Sequence, residues 1–296
     1  MAVPPSIPVI DISPFFTHSE DEEVVFHDWD RAFREFGFAI VVGHGISPAR
    51  MLDVETAMDD FFSLPKEAKV LWTHGRYGVA DGGYSGLNTE AVAQSHDGAA
   101  KGAAAADPVE SFAFPFPPRF FRPPFSTPSS SVVEHLITAA GAYYTECERL
   151  LSILHQISAR ALSLHDDDHI NAFYNFDDGV GEITAFNRSS FSNALKLSFY
   201  PYGTQIRGDP AERDEREEMR YGQHTDFSGF TILRPDPNDW KSIQDGGLEV
   251  QHPRSGLWHP VRLPEENKTA LVINAGDLIS RWTDDRWYPT TYPSAL

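Results

Sequence analysis

Residues 223–229 read Gln223-His224-Thr225-Asp226-Phe227-Ser228-Gly229, and the reading of this stretch decides the rest of the chain. In an extended segment, residues two apart project to the same side. His224 and Asp226 can therefore present an imidazole nitrogen and a carboxylate oxygen to one ion. A neutral nitrogen beside a hard oxygen suits iron(II), and with a third, distant His such a pair leaves positions open for exogenous ligands. A structural His followed by a turn-forming Asp gives the same letters by chance, so the pair takes its meaning from its surroundings.

Downstream of residue 194 the surroundings are short apolar runs separated by turns, at 195–200, 229–233, 247–251, 269–274 and 277–282. Many short strands with frequent turns predict a barrel or jelly roll. Upstream the pattern differs. A β-branched run at 8–12 is followed by Val25, Trp29, Phe33 and Phe36 at helical spacing within 22–36, with Gly37 ending that helix. Residues 38–42 (FAIVV) read as a fully buried strand, and 48–62 as a second helix with Met51, Leu52, Met58, Phe61 and Phe62 on its apolar face. Ser131 and Glu134 have the spacing of a capping box, which opens a long amphipathic helix through Ile157. The small-residue run 98–107 predicts a mobile loop. The expected class is α+β: a helical N-terminal region at 1–130, a long backing helix and connector at 131–193, and a double-stranded β-helix (jelly roll) at 194–296.

The chain has 296 residues, 41% of them hydrophobic, enough for a sizeable core in one domain. Its formal charge of −19 repels phosphate backbones and anionic lipid, so neither nucleic acid nor membrane is an expected partner. It also opposes any anionic ligand unless the pocket supplies a local cation. A single cysteine, Cys147, excludes an intramolecular disulfide and a cysteine-based cluster. The first residues lack a basic segment, Asp11 interrupts their apolar run, and no stretch reaches the length of a membrane span. The expectation is a soluble cytoplasmic monomer acting on a small molecule.

Several motifs, in order along nearly the whole chain, resemble the iron(II)/2-oxoglutarate-dependent dioxygenase superfamily, in the branch that includes isopenicillin N synthase and anthocyanidin synthase. They are PVIDIS (8–13), AFREFGFAIVVGHGIS (32–47), FFSLPKEAK (61–69), LKLSFYP (195–201), HTDFSGFTIL (224–233), GLEVQ (247–251), WHPV (258–261) and LVINAGDLISRWTDDRW (271–287). The resemblance implies a non-haem iron oxidoreductase that couples 2-oxoglutarate decarboxylation and dioxygen to hydroxylation, desaturation or cyclisation of a small organic molecule. Its implied cofactors are Fe(II) and 2-oxoglutarate, with ascorbate as an optional addition. His224 and Asp226 match the first two iron ligands, and Tyr200 the tyrosine that binds the 2-oxoglutarate C1 carboxylate region. Ser198 stands where many members carry Asn beside the cosubstrate. His44 belongs to a turn whose His packs away from the metal, and His252 and His259 lie on segments remote from it. The Phe-rich stretch 112–125 reads either as lining the entrance or as a Pro-stiffened surface crossing.

The pattern breaks near the C-terminus. Where the resembling proteins continue with Ser-Thr-x-His-Arg, residues 289–293 read Pro-Thr-Thr-Tyr-Pro, so Tyr292 falls at the third-ligand position and Pro293 at the following Arg. The Arg-x-Ser that clamps the distal carboxylate of 2-oxoglutarate is not among the residues, and the last barrel strand is expected to be missing. Three accounts stay open: a truncated or mis-spliced product, a catalytically inactive relative with a vestigial metal site, or an enzyme that uses Tyr292. Oxidation without 2-oxoglutarate, as in isopenicillin N synthase, is compatible with the missing Arg. The halogenase variant is disfavoured, because Asp226 is retained.

Overall fold

In the computed structural model, the structure describes residues 7–73, 82–90, 107–124, 127–164, 193–201, 219–235, 247–289 and 291–295. Through residue 161 the elements are β1 (Val9–Asp11), α1 (Ser13–Thr17), α2 (Glu22–Glu35), β2 (Phe38–Val42), α3 (Pro48–Phe62), α4 (Lys66–Lys69), β3 (Gly83–Ser85), β4 (Glu110–Phe114) and α5 (Ser131–Ala161). There follow β5 (Leu195–Phe199), β6 (Met219–His224), β7 (Phe230–Leu233), β8 (Gly247–Gln251), β9 (Trp258–Pro260), β10 (Leu271–Ala275), α6 (Asp277–Trp282) and β11 (Tyr292–Ala295).

The strands form three sheets, ordered β1-β2-β10-β7, β6-β11-β8-β9 and β3-β4-β5. Strand β2 pairs parallel with β1 and antiparallel with β10, so the N-terminal region contributes two strands to the sheet that carries β7. The run 38–42 is apolar throughout because both of its faces are covered. Ala39 and Val41, with Leu271 and Ile273 of β10, join the large core against the helices. Phe38 and Ile40, with Val272, face Val250 and Val261 of the β8–β9 hairpin in a smaller core. That period of two is the strand geometry expected for a layer buried on both sides.

Helix α2 presents Trp29 and Phe33 to the core, and the Trp29 indole N–H donates to Ser158 Oγ of α5 at 2.9 Å. It ends at Gly37, whose φ of 70° is a left-handed conformation that costs an L-side chain about 1–2 kcal/mol. The Gly37 amide turns back to Ala32 O at 3.2 Å. Helix α5 runs 31 residues and backs both α2 and α3. Its cap is Ser130, one residue before the position the capping-box spacing suggests: Ser130 Oγ accepts from Val133 N, while Glu134 takes a hydrogen bond from Ser129 Oγ.

The described phenylalanines of the Phe-rich stretch are core residues. Phe112, Phe114, Phe116, Phe120 and Phe121 are all buried in the large core. Phe112 and Phe114 alternate along β4 with one face against α3, where Phe112 meets Phe61 edge to face at 5.1 Å. The strand period was present in the sequence, but the prolines that follow it disguised it. Phe125, at the end of the stretch, and residues 98–106 of the small-residue run lie outside the described residues.

Residues 277–282 form a helix rather than the strand expected. Gly276 ends β10, and the amides of Asp277 and Leu278 bond to a neighbouring loop instead of a strand partner. Beyond it, Arg286 Nε and Trp287 Nε1 both donate to Asp30 Oδ1 of α2, at 2.8 and 2.9 Å. Trp287 is 1% exposed and packs on Phe33 and Phe230. Burial opposes charge on Asp30, but the bonds from Arg286 and Trp287 outweigh it and hold the carboxyl below its usual range. A buried ion pair ties α4 to β4: Lys69 Nζ lies 2.5 Å from Glu110 Oε2, which also accepts from the Tyr84 hydroxyl.

Candidate metal centre

Strand β6 ends on His224, and the loop 225–229 leads into β7. His224 is buried, and its Nε2 stands 3.5 Å from Asp226 Oδ1. The other carboxylate oxygen is held by neighbours. Asp226 Oδ2 accepts a short bond from Thr231 Oγ1 and a bond of 2.8 Å from Asn274 Nδ2. Thr231 and Asn274 are register partners across β7 and β10, so one rung of that ladder points two donors at one oxygen. Asn274 is completely buried, and only its amide nitrogen can donate to a carboxylate, which settles its orientation. Its Oδ1 is buried without a hydrogen-bond partner.

The loop backbone is held from the same side. Gly276 N donates to Gly229 O at 2.7 Å, Asp277 N to Asp226 O at 2.8 Å and Leu278 N to Ser228 O at 3.2 Å. Phe227, the residue after the carboxylate, is 83% exposed.

An imidazole nitrogen and a carboxylate oxygen 3.5 Å apart are within the span that two metal bonds of about 2.1 Å can bridge. With Oδ2 engaged by Thr231 and Asn274, Oδ1 is the atom turned to His224. The two side chains fit an iron(II) ion on donor type and spacing. Among the described residues no group of three or more His, Cys, Asp or Glu comes together. Strand β11 pairs antiparallel with β6 so that the Tyr292 Cα lies opposite that of His224, which brings the backbone of 292 beside that histidine.

The other residues singled out by sequence take these places. His44 is a buried structural histidine: Ile46 N donates to its Nδ1 at 3.1 Å, so Nε2 carries the proton and donates to Thr269 O at 2.8 Å. Burial holds its pKa below the usual value. His252 and His259 surround Phe36, with ring centroids 5.0 and 6.1 Å from it, in contact with the smaller core. Ser198 lies in register with Ser111 on β5, and Tyr200 follows two residues later, partly buried at the end of that strand. Sequence reasoning missed Thr231, Asn274 and Gly276. Thr231 and Asn274 carry no local signal, since only the pairing of β7 with β10 brings them to Asp226. Gly276 does carry one: a glycine directly after a buried strand marks a close backbone approach.

Residues 7–124 match the family described as non-haem dioxygenase in morphine synthesis N-terminal, and residues 192–296 match the 2OG-Fe(II) oxygenase superfamily. The 2-oxoglutarate-Fe(II) type oxidoreductase ppzC of Metarhizium rileyi is 30% identical over 305 residues, covering 98% of this chain and 74% of that protein. Clavatol oxidase claD of Penicillium crustosum is 28% identical, covering 94% of this chain and 78% of its own length. Among solved structures, a full-length Neurospora crassa protein in complex with alpha-KG and thymine superimposes with a TM-score of 0.70 at 22% identity, over 98% of this chain and 79% of that one.

Proposed function

Because the chain belongs to the 2-oxoglutarate/Fe(II) oxygenase family, with its jelly-roll fold and its cofactors Fe(II) and 2-oxoglutarate, we propose that it oxidises a small organic molecule by hydroxylation, desaturation or cyclisation, with His224 and Asp226 as iron ligands. The observation that carries this is the split use of the Asp226 carboxylate: Oδ2 bound by Thr231 and Asn274, Oδ1 facing His224 Nε2. Bound iron supplies activation of dioxygen coupled to decarboxylation of 2-oxoglutarate to succinate. The chain's own part is to hold the ion with His224 and Asp226 and to orient the cosubstrate with Tyr200, just past the end of β5, and Ser198 within that strand. The names of the relatives support a small organic substrate: one relative is a clavatol oxidase, and the Neurospora crassa structure is a complex with thymine.

The expected absence of a closing strand has support in the sheet edges. Among the described strands, β7 pairs only with β10 and β5 only with β4, and Leu197 of β5 and Phe230 of β7 belong to the same core. We read these two edges as the sides of one gap. Rapid amide exchange along both edges supports this, and protection equal to that of β10 opposes it. No helix among the described residues is long and apolar enough to cross a membrane.

Anaerobic calorimetric titration with Fe(II), followed by succinate release and oxygen uptake with 2-oxoglutarate, tests the assignment. The expected result is one site that His224→Ala or Asp226→Ala abolishes. Binding that survives both substitutions together refutes it.

A further inference from the structure

The loop that carries Asp226 is held by a turn distant from it in sequence. Three successive amides, those of Gly276, Asp277 and Leu278, donate to three carbonyls of that loop, and the Asn274 side chain takes hold of the carboxylate itself. We propose that the turn from Asn274 to Leu278 is the positioning element of the metal centre, and that Asn274 and Gly276 are the residues that set where the Asp226 carboxylate stands relative to His224. The proposal rests on His224 and Asp226 being metal ligands.

Gly276 argues for it by close approach. A Cβ at this position meets Ser228 O at 2.3 Å, Asp226 O at 2.6 Å and Gly229 O at 3.0 Å. Its φ of −91° is ordinary for any residue, so space alone demands glycine. All three obstructing atoms are backbone and cannot swing aside. Relieving the contact with Asp226 O requires a shift of roughly 0.5–1 Å in the residue that bears the ligand, which uses up the ~0.5 Å within which such sites must be held.

Asn274 argues for it by an apparent disadvantage. Its Oδ1 is buried with no hydrogen-bond partner, a destabilising arrangement that an apolar residue of similar volume removes. What the amide provides in exchange is the Nδ2 bond to Asp226 Oδ2. A residue kept for packing loses nothing when it becomes leucine; a residue that positions the carboxylate does.

The test uses the full 296-residue chain, titrated anaerobically with Fe(II) or with Co(II), whose visible absorption reports ligand geometry. The variants are Gly276→Ala, Asn274→Leu, Asp226→Ala and Phe61→Leu, with the melting temperature of each measured alongside. Phe61 belongs to α3 and packs edge to face on Phe112 of β4, so Phe61→Leu lowers stability and keeps metal affinity within about twofold. Gly276→Ala and Asn274→Leu are expected to weaken metal binding by about 10- to 100-fold, the usual effect of losing a group that orients a ligand. Asn274→Leu does so without a matching fall in melting temperature, and that combination of weakened binding with kept stability is what a packing role does not produce. If Gly276→Ala fails to fold, Asn274→Leu decides alone. Affinity within twofold of the parent in Asn274→Leu overturns the proposal. Unchanged affinity in Asp226→Ala overturns instead the ligand assignment beneath it.

Discussion

Replacing Asp30 with alanine removes one acceptor shared by two donors, and the two losses are unequal. Trp287 is 1% exposed, so its indole N–H has no water to turn to once Asp30 Oδ1 is gone. A buried donor left without a partner costs about 1–3 kcal/mol. The Arg286 side chain is 45% exposed, and an exposed ion pair of this kind contributes about 0–1 kcal/mol. Asp30→Ala is therefore expected to lower unfolding free energy by roughly 2–3 kcal/mol, and Arg286→Ala by less than about 1. Urea denaturation at pH 7 measures both. The pH dependence has a definite sign. The Asp30 carboxyl is held below its usual range in the folded protein, so its contribution is fully present above the unfolded value near 3.9 and is lost as pH falls through the folded value. The gap between parent and Asp30→Ala should be flat from pH 5 to 8 and narrow below pH 4. An Arg286→Ala variant as damaged as Asp30→Ala refutes the reasoning, as does a gap that persists unchanged at pH 3.

Lys69→Met strands Glu110 with only the Tyr84 hydroxyl in a nearly dry site, and a loss of about 3–5 kcal/mol is expected in thermal or urea unfolding. A loss under 1 kcal/mol means that water reaches Glu110. Burial pushes the Cys147 thiol up to about 12, with a Tyr143 hydrogen bond only partly offsetting it. At pH 8 its labelling by a thiol reagent should run at least about 100-fold slower than that of a free cysteine until urea unfolds the chain.

The parts of this fold that were legible in sequence are those whose signal is local. His224 and Asp226 announce themselves because a strand repeats every two residues. Helices α2, α3 and α5 do so because three or more turns repeat every 3.6. Residues 277–282 were misread because six residues span less than two turns and their decisive amide partners lie in the loop 226–229. Phe112 and Phe114 had the right period, yet a ring that buries Phe112, Phe61 of α3, is distant in sequence. The pairing of His224 with Asp226 could thus be read directly, whereas the residues that bond to Asp226 could not. Thr231 and Asn274 meet only through the register of β7 with β10, which no short window of sequence encodes.

The pairing of β2 with β10 joins Phe38 to Asn274, and so ties one of the first strands synthesised to one of the last. At roughly 5–20 residues per second, a ribosome needs on the order of 10–50 s to produce the intervening chain. For that time the run 38–42, apolar on both faces, has neither its antiparallel neighbour nor the β8–β9 hairpin to cover it. Helices α2 and α3 emerge early enough to shield one face, but the side bearing Phe38 and Ile40 stays open. The nascent protein therefore carries a sticky ribbon through most of its synthesis. Its yield in a cell should depend on chaperone supply and elongation speed more than its final stability suggests.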